Sequence, residues 1–93
     1  MVVGLVTLEL HFPQARSLKD KRQVLERVKG RLRARFNVAV AELDHQDLWQ
    51  RATLGVVSIS NNQAHLARVL EAVASESERL LGDELVESHI EYL

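Results

Sequence analysis

Basic side chains are concentrated in one short stretch of the sequence. Nine of the twelve lysines and arginines lie between residues 16 and 35, with only two acidic residues, which gives this stretch a net charge of 9 − 2 = +7. Lysine and arginine bind phosphate oxygens, and arginine donates two parallel N–H groups. The stretch is therefore a candidate surface for RNA or another polyanion. The candidate phosphate contacts are Lys19, Arg22, Lys29, Arg31 and Arg33.

The same charges allow a plainer interpretation. On a helix, Arg22, Lys29 and Arg33 fall in one exposed column, because each residue turns the helix by about 100°. Such a column is also typical of a solvated helix face whose cations pair with acids of a neighbouring helix, such as Glu71 or Glu78. The two interpretations differ in one respect: whether the cations form salt bridges with carboxylates of the same protein or have no such partner.

Histidine and glutamate side chains suggest a second chemistry, metal binding. His11 and His89 would be neighbours if the first and last strands pair, with Glu9, Glu87 and Glu91 close by. Imidazole and carboxylate suit several transition metals. No HxH or HxxxH spacing occurs, however, and such residues on a sheet surface are normally solvated. We expect no metal and no cofactor.

Catalytic motifs are absent from the sequence. There is no cysteine nucleophile, glycine-rich phosphate loop, nucleophile elbow or HExxH. Arg16 with Asn61 or Asn62 could imitate the pair used by acylphosphatases, but the glycine-rich loop of that family is missing. Regulatory ACT domains typically have a glycine after the first strand, where this chain has residues 13–16, Pro-Gln-Ala-Arg. We expect no enzymatic activity and no small-molecule substrate.

A third candidate surface would bind a protein partner or a second copy of the chain. Trp49 is the only tryptophan, and tryptophan often dominates interface energetics; alternatively it folds back over the core. Val57 and Ile59 are assigned to the core side of their strand, which turns Leu54 and Val56 outward. The predicted partner-binding residues are Trp49, Leu54 and Val56, in a possible homodimer.

The elements that position these residues follow from hydrophobic periodicity. Residues 2–12 alternate with period two, which predicts a strand that Pro13 ends. Ser17 and Asp20 form a capping-box pattern before a helix over residues 18–36. Strands are predicted over residues 37–44 and 52–60, a second helix from Asn61 or Asn62 to Gly82, and a last strand over residues 84–93.

The order β-α-β-β-α-β predicts a ferredoxin-like α+β sandwich. Right-handed crossovers place both helices on one face of a four-stranded antiparallel sheet, in a single domain spanning residues 1–93. The other face of the sheet is open. Its first and third strands show no outward aromatic residue, which excludes the base-stacking mode of RNA-recognition motifs.

The sequence also bears on location. Its apolar runs are only a few residues long, too short to span a membrane. The first ten residues lack the basic region and cleavage site of a signal peptide. We expect a cytoplasmic protein with no membrane partner.

Several separated blocks resemble the YlxP-like family of small uncharacterised bacterial proteins. They are the segments 17–22, Ser-Leu-Lys-Asp-Lys-Arg, and 33–42, Arg-Ala-Arg-Phe-Asn-Val-Ala-Val-Ala-Glu, together with Trp49 and the segment 54–56, Leu-Gly-Val. The resemblance implies a ferredoxin-like fold. It also implies a gene setting often close to translation-initiation and ribosome-maturation factors, which favours an association with RNA or the ribosome. It implies no catalytic residue.

Overall fold

The chain alternates strands and helices in the predicted order. A computed structural model describes residues 1–93. The elements are β1 (Val2–His11), α1 (Leu18–Arg35), β2 (Ala39–Asp44), β3 (Arg51–Ser60), α2 (Gln63–Leu81), a short 3₁₀ turn (Gly82–Glu84) and β4 (Leu85–Tyr92). The strands form one antiparallel sheet in the order β2-β3-β1-β4. The predicted ferredoxin-like α+β fold is confirmed.

The core lies between the sheet and the two helices. Alternate residues of β1 turn toward the helices, and Val6, Leu8 and Leu10 are at most 3% exposed. They join Leu25, Val28 and Leu32 of α1 with Leu66, Leu70 and Val73 of α2 in one cluster of sixteen buried apolar residues. The predicted alternation of β1 is confirmed, and each helix turns an apolar stripe toward the sheet.

Local signals at the helix ends agree with the sequence. The Ser17 hydroxyl accepts a hydrogen bond from the Asp20 amide at 3.1 Å, and Asp20 accepts one from the Arg16 amide at 2.9 Å. In a capping box the Asp20 carboxylate would accept from the Ser17 amide; here it accepts from the Arg16 amide, one residue earlier. Asn62 caps α2 by accepting from the His65 amide at 2.9 Å. Gly82 ends α2 with a φ of 55°, a conformation that favours glycine.

The predicted orientation of β3 is wrong. Residues directly opposite in an antiparallel pair share a face, and β3 pairs Val56 with Val6 and Leu54 with Leu8. Leu54 and Val56 are therefore completely buried in the core. Ile59 is 56% exposed on the open face, and Val57 is half-buried there.

The reason for this error is a serine in the core layer. The adjacent valines 56 and 57 leave the phase of the strand ambiguous, and Ser58 would normally be placed outside. Ser58 instead lies on the helix side, 8% exposed, and its hydroxyl donates to the Asn37 carbonyl at 2.9 Å. A hydrogen-bonded hydroxyl can be buried at little cost.

One lysine holds α1 to the β2–β3 hairpin. Lys21 is 1% exposed, and its ammonium group lies 3.0 Å from a carboxylate oxygen of Glu42. The same group donates to the backbone carbonyls of His45, Gln46 and Arg51 at 2.8, 3.3 and 3.2 Å. A buried ammonium is stable only when its protons are bonded and its charge is balanced. The β2–β3 hairpin supplies both: the Glu42 carboxylate balances the charge, and the carboxylate and three carbonyls accept the protons.

We expect Lys21→Met to destabilise the protein by about 3 kcal/mol, because it leaves a partly buried carboxylate without its counter-charge. Lys29→Met, on the same helix, removes an ion pair whose glutamate is largely exposed and should change stability by less than about 1 kcal/mol. Chemical denaturation of both variants measures the difference. Adding Glu42→Gln to Lys21→Met should recover part of the loss; equal losses in the two single variants would contradict this account.

Candidate functional site

The rotation of α1 decides which of its cations reach solvent. Leu25, Val28 and Leu32 face the sheet together with Lys21. The other sides of the helix are exposed. Five cations there have no carboxylate within salt-bridge distance. These five exposed cations, hereafter the α1 cations, are Lys19, Arg22, Arg27, Arg31 and Arg33.

The predicted phosphate contacts differ in how free their charges are. Lys19, Arg22 and Arg31 have no acidic partner. Arg33 donates to the Val40 carbonyl in β2 at 3.1 Å, which positions its guanidinium without neutralising it. Lys29 is half-buried and pairs at 3.0 Å with Glu26 of its own helix, so it is the least available of the five predicted contacts.

The α1 cations form two rows along one helix. The bond from Arg33 to Val40 shows that the row containing Arg22 and Arg33 flanks the edge strand β2. Arg27 and Arg31 lie about 120–180° further around the helix than Arg22 and Arg33, on the side toward α2. From Lys19 to Arg33 the rows extend along about 21 Å of helix axis.

Acids of α2 do not neutralise these rows. The acid of α2 that does pair is Glu76, which accepts two hydrogen bonds from Arg79 at 2.8 and 2.6 Å and lies 3.2 Å from Arg35 of α1. The hydrogen bonds from Arg79, and then the charges of Arg79 and Arg35, lower the pKa of Glu76 to about 2 although burial opposes the shift. Arg35 therefore forms a salt bridge that links α1 to α2 and is not counted among the α1 cations.

The open sheet face is charged at one end. Glu9, Arg51, Glu87 and His89 border a shallow depression of about 460 Å³ together with Thr7 and Val86. β1 and β4 pair as expected, but the register places His89 opposite Thr7, whereas His11 lies opposite Arg51 of β3. The predicted neighbouring pair of histidines does not form, because Thr7, opposite His89, lies four positions from His11 along β1.

The hairpin tip displays the tryptophan. Trp49 is 51% exposed and Leu48 is 47% exposed, so the indole does not fold back under the core. The loop behind it is held by the bonds from Lys21 and by the Leu48 amide donating to the His45 carbonyl at 3.0 Å. Leu54 and Val56 are buried, and the predicted partner surface formed with them does not exist.

Lys21 and Glu76 are the structural charges that sequence reasoning missed. Lys21 could have been found, because its position on the helical wheel falls inside the apolar stripe between Leu25 and Val28. A cation placed there must have a buried partner. Glu76 gives no comparable signal, since its partners come from two helices and only Arg79 is local.

Comparison with known proteins settles the family. Residues 3–90 match the family described as "Protein of unknown function (DUF503)". The chain is a member of this family. The suspected kinship is confirmed: the chain is 35% identical over 72 residues to the "Uncharacterized protein YlxP" of Bacillus subtilis, covering 77% of this chain and 78% of that one.

A solved structure supports the fold alone. The "De novo designed protein Foldit4" is similar with a TM-score of 0.56 at 13% sequence identity, and the match covers 99% of this chain and 94% of the designed one. No helix of this DUF503 member has an apolar stretch long enough to cross a membrane.

The Glu76 network predicts a pH dependence of stability. The pKa of Glu76 in the folded protein is about 2, below its ordinary value of 4.5. Its stabilising contribution is therefore complete above about pH 4.5 and is lost as the pH falls from there toward 2. We expect Glu76→Gln to be less stable than the parent protein at pH 7, and the difference to shrink over that range.

Denaturant titrations at successive pH values measure this difference. Glu78→Gln is the matched control, because Glu78 is exposed and has no salt bridge; at pH 7 it should change stability by no more than about 0.5 kcal/mol. A difference between the parent protein and Glu76→Gln that stayed constant down to pH 2 would contradict the assigned role of Glu76.

Proposed function

We propose that this protein binds RNA, free or within the ribosome, through the exposed side of α1. The observation that carries the proposal is that the α1 cations are exposed and have no carboxylate partner. Cations that pair within a protein gain little from a phosphate, whereas unpaired ones release condensed counterions when they contact nucleic acid. The proposed role is binding without catalysis, in the cytoplasm.

Arginine chemistry supports a phosphate ligand. Four of the five α1 cations are arginines, and arginine presents a planar fork of donors that matches phosphate oxygens. Arg33 is already oriented by its bond to Val40. An oriented side chain loses less conformational freedom when it binds. Arg33, and Arg22 about 16 Å away in the same row, are the proposed main contacts.

The exposed side of α1 favours a dissolved polyanion over a lipid surface. Helices that lie on membranes insert an exposed apolar face among the lipids. The apolar residues of α1 are turned into the core or half-buried, and its exposed positions are charged, polar or small. RNA is favoured among polyanions by the gene setting that the family resemblance implies.

The charge of the opposite layer supports one orientation of approach. Glu9, Glu87 and Glu91 lie on or beside the open sheet face and repel phosphates. Long-range attraction by α1 and repulsion by the sheet would orient the protein before contact. RNA would therefore meet the helical layer.

Titration of fluorescently labelled ribosomal RNA fragments at several salt concentrations tests the proposal. Each contact to a single-stranded phosphate contributes about 0.7 to the slope of log affinity against log salt concentration. The double variant Arg22→Glu and Arg33→Glu should therefore bind more weakly and lower the slope by about 1.4.

A matched control separates local contacts from net charge. Arg51→Glu with Arg68→Glu makes the same charge change at exposed positions outside α1, and it should retain the parent slope. The proposal fails if the parent protein does not bind at low salt, or if both double variants weaken binding equally.

A further inference from the structure

The open sheet face has an apolar half opposite its charged half. Direct pairing places Val3 beside Ile59 and Leu5 beside Val57 on this face. In β2, Ala39 lies beside Val57 and Ala41 beside Gly55. The open-face patch, as we call this half, consists of Val3, Leu5, Ala39, Ala41, Leu43, Gly55, Val57 and Ile59.

The patch contains a hollow next to a projecting side chain. The hollow has a volume of about 160 Å³ and is lined mainly by Leu5, the alanines of β2, Leu43 and Val57. Leu43 leans over Gly55, where a Cβ atom would lie 2.7 Å from its Cδ1 atom. Ile59 projects from the same surface, two residues along β3 from Val57, and is 56% exposed.

We propose that the open-face patch binds the same patch of a second copy of the chain, each Ile59 entering the hollow of the other copy. In a two-fold symmetric dimer, any residue that contacts a second residue of the other copy is matched by the reverse contact. The same surface must therefore carry both the projecting side chain and the hollow that receives it. Ile59 and the hollow satisfy this requirement on one patch. A different partner would have no reason to need both.

The distribution of charge also favours a second copy. The charged half with Glu9 and Glu87 lies toward the far end of β1 from Val3. A two-fold axis that lies between the two faces and runs across the strands reverses the strand direction of the second copy, so the two charged halves point away from each other. Like charges across an interface are costly, and this arrangement keeps Glu9 and Glu87 of the two copies apart. Glu91, beside Leu5 on β4, stays next to the patch and weakens the contact.

The size of the face determines the strength of the contact. The patch covers three strands, β2, β3 and β1, spaced about 4.8 Å apart, over about five residues of each, which gives about 14 by 17 Å, or about 250 Å². Stable complexes bury about 800 Å² per partner, and weak ones less. The proposed dimer is therefore weak and depends on concentration, and it leaves α1 exposed in both copies.

Sedimentation equilibrium from about 1 µM to about 1 mM protein, a range that covers weak dissociation constants, tests the proposal. We expect the parent protein to dimerise, and Ile59→Lys to raise the dissociation constant by at least about tenfold. Leu48→Lys is the matched control, because Leu48 is similarly exposed at the hairpin tip; it should dimerise like the parent. Thermal unfolding verifies that each variant is folded, and Ile59→Thr replaces Ile59→Lys if that variant is not.

A parent protein that remains monomeric throughout this range overturns the proposal and leaves the patch to another partner. A dimer that Leu48→Lys disrupts and the Ile59 variants do not also overturns it, because the contact would then lie at the hairpin tip.

Distances between spin labels test the symmetry. The chain has no cysteine, so Asn61→Cys or Arg51→Cys introduces a single labelling position. With the axis near residue 58, position 61 lies about 10 Å from it along β3 and position 51 about 24 Å. The two labels at position 51 should therefore be much further apart than those at position 61. Equal separations would overturn the two-fold arrangement.

Discussion

The buried ammonium group of Lys21 is the constraint on which the arrangement of α1 depends. It joins the first turns of the helix to Glu42 in β2 and to three backbone carbonyls of the β2–β3 hairpin. Because each acceptor has a fixed place in the hairpin, the bonds define the rotation of α1 about its axis. Leu25, Val28 and Leu32 complete the same inward side. The α1 cations lie on the remaining sides of the helix and are exposed.

Charge is separated between the two layers as a result. Among the lysines and arginines, pairing is limited to Lys21 with Glu42, Lys29 with Glu26, and Glu76 with Arg35 and Arg79. The first and last of these stabilise tertiary packing, and they use few of the basic residues. The α1 cations remain on the helical layer, while acids line one end of the open sheet face. A chain with a net charge of only −1 therefore carries a strongly uneven distribution of charge.

Signals between residues close in sequence predict the fold. The site is harder to predict, because it depends on contacts between residues far apart in sequence. Ser17, Asn62 and Gly82 mark helix ends through bonds and dihedral angles that depend on near neighbours, and their placement is confirmed. The orientation of β3 depends on Ser58 reaching Asn37, which no periodicity reveals. The α1 cations can be predicted as a group from the sequence. Whether each one forms a salt bridge depends on where the fold places the carboxylates of other elements.

Mapping amide chemical-shift changes by NMR as RNA is added at low salt tests the central claim most directly. The account predicts changes concentrated in residues 19–33 of α1 and in β2 beside Arg33, with little change at the charged end of the open sheet face around Glu9 and His89. Changes centred on that end of the sheet, with α1 unaffected, would contradict it.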